Sequence, residues 1–261
     1  MDSAPKKFYH IHGIDSRNIL ETFFSKNKVE MIFGEDCLKF PMINLHYVFS
    51  RGFVAGKVLI DISIGSFIHH LFAASEFFED IIILKFSEKC VMELQRWLND
   101  RTGAFDWTHT SSTAIKLEGK SNKIPDKEMS LKTTIKHIVM CKLEKENITH
   151  PLVLPLADCV ISAWILDVIS KDQDEYVKNL KKISKHLRIG GHLILLGTSK
   201  MTYFKIGENK YHVLNYEEEF AKNTLKKLGF IIDYFAVQRR SNASNLVDYK
   251  ALTFIMAHKE K

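Results

Sequence analysis

Seven short apolar runs rich in β-branched residues alternate with amphipathic stretches along this chain, and that alternation constrains its fold most tightly. The runs are Val58–Ile62, Ile81–Phe86, His137–Cys141, Cys159–Ile165, His192–Leu196, Phe230–Val237 and Ala251–Ala257. Helical patterns fall between most of them, near residues 66–77, 88–100, 127–136, 174–187 and 216–228. A strand apolar on both faces is a strand covered on both faces, so the pattern predicts an α/β protein with a doubly wound, mainly parallel sheet. The last two runs follow one another without a helix, so one of them is expected to run antiparallel.

Before the first strand, Asp15 caps a predicted helix running to about Ser25 and Glu35 opens a second, which together predict a helical lid over residues 1–50. The remainder, residues 51–261, reads as the core of one domain spanning 1–261. Residues 202–213 alternate around a central Gly207-Glu208-Asn209 and predict a hairpin. Gly190-Gly191 is expected to cap the preceding Lys-rich helix and turn the chain into the next strand.

Composition removes several function classes. The four cysteines, Cys37, Cys90, Cys141 and Cys159, stand singly without a C-x-x-C pair, which is the usage of a reduced compartment. No apolar stretch reaches the roughly 18 residues a membrane span needs, and a cytoplasmic monomer is expected. A net charge of +6 raises the question of nucleic acid. The lysines are dispersed, however, and the dense segment Lys178–Arg188 carries Val177, Leu180, Ile183 and Leu187 at helical spacing, so its lysines form a solvated face.

In an open α/β sheet ligands sit outside the carboxyl ends of the strands, which here brings the loops after Ile62, Phe86, Cys141, Ile165 and Leu196 to one crevice. Six segments in and around that frame resemble the small-amine N-methyltransferase family that includes nicotinamide, indolethylamine and phenylethanolamine N-methyltransferases. They are Leu59-Ile-Asp-Ile62, Ala104-Phe-Asp-Trp107, Leu117-Glu-Gly119, Pro155–Val160 with Leu166-Asp167, Leu187-Arg-Ile-Gly-Gly191 and Ile206-Gly-Glu-Asn-Lys210. The resemblance covers almost the whole chain and implies a class I S-adenosylmethionine-dependent methyltransferase fold.

It also implies a cofactor site at Asp61, Ser63, Gly65, Lys85, Phe86, Cys90 and Lys142, and most of those positions are substituted. The family's Gly-Ser-Gly-Pro loop reads Ser63-Ile64-Gly65-Ser66 here. Lys85 stands for the carboxylate that takes the ribose hydroxyls, Cys90 for an asparagine, and Lys142 for the carboxylate that takes the adenine amine. Ile19 and Phe24 replace lid tyrosines, Gly197 an aspartate facing the acceptor, and Phe204 a tyrosine of the hairpin. An ammonium cannot accept from a ribose diol and repels a sulfonium cation, and each unpaired polar group costs on the order of 1–3 kcal/mol. The expectation is a family member with weak or absent cofactor binding and little or no catalysis. The alternative is an active enzyme methylating a small amine or pyridine, since in-line transfer needs little beyond positioning.

Other groups have plainer readings. Adjacent His69-His70 cannot easily share a metal from one helix, so they read as structural. Asp167 is either a base or the cap of the following helix. Cys90 and Cys141 are either reactive thiols beside Lys85 and Lys142 or small buried hydrophobes. Glu118 reads as a solvated turn residue, and Trp97 and Trp164 as core or interface aromatics. Two ammoniums at Lys85 and Lys142 raise the further possibility of an anionic ligand, against a cleft collapsed on Ile64, Phe67 and Phe86 with both lysines reaching water.

Overall fold

The computed structural model describes residues 6–26, 36–121, 123–241 and 243–260. Seven strands form one sheet: β1 Gly56–Ser63, β2 Phe78–Lys85, β3 Ile135–Met140, β4 Ala157–Ala163, β5 Leu187–Ser199, β8 Phe230–Arg239 and β9 Ala251–Lys259. Their order is β3-β2-β1-β4-β5-β9-β8, with β9 antiparallel to both neighbours and the other neighbouring pairs parallel. The order reverses between β1 and β4, which places the ligand crevice of such a sheet at the end of β1. Asp61 is the polar exception inside that strand: Leu59, Ile60 and Ile62 around it are fully buried apolar residues.

A separate hairpin, β6 Tyr203–Ile206 with β7 Asn209–His212, turns at Gly207, whose φ is +55°. Helices α1 Tyr9–His12, α2 Ser16–Phe24 and α3 Asp36–Ser50 precede the sheet, and Asp15 caps α2 by accepting from the Asn18 N–H. Glu35, expected to open the second lid helix, lies outside the described residues. The core-face helices are α4 Glu88–Leu98, α5 Thr108–Glu118, α6 Ile124–Thr134, α7 Ile165–Ile169, α8 Gln173–Ser184 and α9 Glu218–Lys227.

Three expectations are corrected, and one helix escaped the sequence pattern. Residues 66–77 do not form a long helix; only a 3₁₀ turn at His69–Phe72 is regular. Every residue from Val58 to Ser75 is buried, and a regular α-helix would have turned one face of this segment outward. Gly190-Gly191 does not cap a helix: α8 ends at Ser184, and both glycines lie in β5 where Leu187 pairs with Ala157 and His192 already pairs with Cys159. The intervening residues bulge, and Gly190 takes φ +72° there. Glu118 is not solvated, because its carboxylate accepts from Lys127, itself 1% exposed and 3.2 Å from Glu76. Helix α5, built from Thr and Ser, gave no apolar period to read and is anchored instead by buried Trp107 and Ala114.

Candidate functional site

The end of β1 is closed by side chains of the protein itself. Asp61, fully buried, accepts from His70 Nε2 at 2.6 Å and from Ser63 Oγ at 2.8 Å. Lys85, at the end of neighbouring β2, is also fully buried and reaches across the strand end. Its ammonium donates to Ser63 Oγ at 2.6 Å and to the Ser63 carbonyl at 3.1 Å, and lies 3.8 Å from Asp61 Oδ2. Ser63 therefore relays between the two charges, accepting from Lys85 while donating to Asp61.

The electrostatics of the pair are asymmetric. Burial pushes the Asp61 carboxyl up, but the His70 contact together with Lys85 and Ser63 outweighs it, and Asp61 is held below the usual carboxylate range. Burial pulls the Lys85 ammonium down from the lysine range, and Asp61 only partly restores it. The lysine thus carries the larger uncompensated desolvation. Removing either partner leaves a bare charge in a low-dielectric interior.

The following loop is satisfied in the same internal manner. The Gly65 N–H donates to Tyr9 Oη at 3.1 Å, and the Ser66 hydroxyl contacts the Ser16 hydroxyl of α2. Gly65 has φ +56°, and a Cβ there would stand 3.2 Å from Ile19 Cγ2, so α2 lies directly on the loop. Cys90 sits beneath it, 4.0 Å from Tyr9 Oη.

Lys142 does not join this cluster. It is exposed, and with Phe86 and Cys141 it lines a shallow groove shared with His10, Lys178 and Glu175. The expectation of two free ammoniums in one cleft is corrected, as is the alternative that both reach water: Lys85 is 0% exposed, hydrogen-bonded to Ser63 and ion-paired with Asp61 inside the protein. Cys90 and Cys141 are buried, and burial pushes the Cys141 thiol up to about 12, the opposite of a reactive thiolate.

Beside the closed strand end lies an apolar cavity of about 80 Å³, larger than the ~10–15 Å³ that holds one water. Its walls include Phe23 and Phe24 of α2, Ile64 and Phe67 of the loop, Trp164 and Phe204. Phe24 is wedged in place by Phe67 and His69, with ring centroids 4.5 Å away in each case. His69 is buried behind this wall, stacked 5.6 Å from Trp164, and neither of its ring nitrogens has a hydrogen-bond partner among the described residues. Burial accordingly keeps it neutral, pulling it well below the histidine range.

Asp167 edges the cavity, but its oxygens are already occupied. They accept from the Thr198 N–H at 2.9 Å, Thr198 Oγ1 at 3.0 Å and Tyr216 Oη at 2.6 Å. Burial raises its carboxyl to about 6, against the partial compensation of these three donors. A raised folded value means that its contribution is fully present below the unfolded carboxylate value near 4 and is lost as pH rises through about 6. Relative to Asp167→Asn, the wild type is therefore expected to lose about 2–3 kcal/mol of unfolding free energy between pH 4 and 6, read from denaturant titrations, and no more above pH 7. A difference that stays flat across that window would contradict the assignment.

Tyr9, Ser16, His70 and Tyr216 were not signalled by sequence as site residues. Their partners lie up to 81 residues away, and no short-range spacing encodes such contacts.

A family model described as the NNMT/PNMT/TEMT family matches residues 5–260. Nicotinamide N-methyltransferase of Homo sapiens is 30% identical over 253 residues, covering 96% of this chain and 94% of that protein. Indolethylamine N-methyltransferase of Oryctolagus cuniculus is 30% identical over 244 residues, covering 94% and 92%. Phenylethanolamine N-methyltransferase of Mus musculus is 35% identical over 185 residues, covering 70% of this chain and 63% of that protein. Among solved structures, magnesium protoporphyrin IX methyltransferase from Synechocystis with bound SAM superposes with a TM-score of 0.56 at 12% identity, covering 99% of this chain and 100% of that one. That likeness shows the fold, a class I methyltransferase sheet.

Proposed function

The chain belongs to the NNMT/PNMT/TEMT family, and from that premise we propose that it has given up S-adenosylmethionine binding and methyl transfer, and retains an apolar pocket for a small uncharged aromatic molecule. The observation that carries this reading is the direction of Lys85: its ammonium occupies the turn at the end of β1 and takes both the hydroxyl and the carbonyl of Ser63. The residues there do not fit the cofactor. A sulfonium meets an ammonium, the Gly65 N–H is spent on Tyr9, and Ile19 rests on the glycine that would otherwise let a ligand approach.

The ligand class follows from the second site. The walls of the cavity are aromatic and aliphatic, which favours a planar apolar ring. Thr198 and Tyr216 take three of the roughly four lone-pair sites of Asp167, which leaves little of the carboxylate for a cationic amine, and no lysine is among the described lining residues to recruit an anion. With Lys85 neutralised internally, an anionic ligand loses one of its two supposed partners.

A radiolabelled methyl-transfer assay with nicotinamide and tryptamine tests the reading. No transfer above the protein-free blank is expected at millimolar acceptor, whereas thermal-shift screening should find uncharged aromatic compounds that raise Tm, an effect abolished by filling the pocket with Val168→Trp. Turnover with either acceptor overturns it.

A further inference from the structure

At the opposite end of the sheet from the crevice, three side chains from three adjacent strands meet on one face. His192 of β5 and His258 of β9 are a directly opposed antiparallel pair, so their side chains share a face of the sheet. Asp233 of β8 joins them through an irregularity: Ile232 pairs with Ala257 and Tyr234 with the next residue, Met256, so Asp233 is the unpaired residue of a bulge. Bulges re-aim side chains. Here the carboxylate lands 2.9 Å from His258 Nδ1 with both oxygens and 3.9 Å from His192 Nε2.

We propose that His192, Asp233 and His258 form a divalent transition-metal site, taking zinc or a similar ion with solvent in the fourth position. The three donor atoms lie within 4.8 Å of one another, and a tetrahedral zinc centre needs them about 3.4 Å apart, a contraction that rotation of part-exposed side chains supplies. Two imidazoles and one carboxylate are a donor set that selects zinc, cobalt or nickel over calcium or magnesium. Arg188, four residues before His192 on β5, donates from its Nε to Asp158 at 2.7 Å. The cluster is independent of the crevice: His192 precedes Gly197 on β5 by roughly 16 Å of strand.

A plain His258–Asp233 hydrogen bond accounts for two of the three residues but not for His192, and titration separates the readings. Calorimetry on untagged protein should give one zinc ion bound with micromolar Kd, and Co²⁺ should give visible absorption that zinc displaces. His192→Ala, Asp233→Asn and His258→Ala should each weaken binding about tenfold or more, while His137→Ala, on the exposed face of β3, should not. In wild type, zinc should also protect His192 and His258 from diethyl pyrocarbonate, a readout that does not depend on any variant folding. Absence of binding at 100-fold molar excess, unchanged affinity in the three variants, or unprotected histidines each overturns the site.

Discussion

Asp61→Asn is expected to lower the unfolding free energy by about 3–5 kcal/mol, because it leaves Lys85 as an uncompensated buried cation. The size of the effect separates a structural ion pair from a vacated cofactor residue. A carboxylate kept for an absent ligand would stand unpaired, and its neutralisation would be neutral or stabilising. Here Lys85, Ser63 and His70 all converge on it. Adding Lys85→Met should return most of the loss, since a neutral pair of similar volume avoids both desolvation terms. Chemical denaturation of the two single variants and the double variant measures the coupling. A loss below about 1 kcal/mol for Asp61→Asn would show that Lys85 finds water or another acceptor. The pH dependence has a definite sign as well: Asp61 is depressed in the folded protein, so its contribution is present above the unfolded carboxylate value near 4 and is lost as pH falls through the lower folded value.

Gly197→Asp, which restores a carboxylate that the family resemblance places at this position near the end of β5, is expected to destabilise by more than about 3 kcal/mol and to restore no activity. A Cβ at this position would stand 2.7 Å from Tyr216 Oη and 3.2 Å from Thr253 Oγ1. Tyr216 cannot retreat without giving up its 2.6 Å bond to Asp167. The cost combines overpacking, about 1–3 kcal/mol, with the repulsion of a second buried carboxylate beside Asp167. Gly197→Ala isolates the steric part, and the difference between the two variants isolates the charge. A Gly197→Asp variant of wild-type stability that gains methyl transfer would contradict this account of the pocket.

The fold was legible because its signals are local and repeated. Seven apolar runs became seven strands of one sheet, and the single antiparallel member followed from the missing helix before Ala251. The 66–77 segment was misread because hydrophobicity on every face imitates a helix as readily as a buried irregular turn. The crevice was legible as a set of positions, since Asp61, Ser63, Gly65, Lys85 and Cys90 do come together at the end of β1. What each side chain does there was not. Whether Lys85 faces a cleft or a carboxylate depends on Ser63, 22 residues away, and on the turn that brings His70 onto Asp61. Residue type gives the charge at a position, while packing between distant elements decides which neighbour receives it.

The central claim is that this strand end is occupied by the protein's own ammonium and cannot take the family's cofactor. Calorimetric titration of the intact chain with S-adenosylmethionine and S-adenosylhomocysteine tests it most directly, because the two ligands differ by the sulfonium charge. The account predicts no saturable heat for either up to millimolar concentration, several powers of ten weaker than micromolar binding. Micromolar binding of S-adenosylhomocysteine, with or without S-adenosylmethionine, would contradict it.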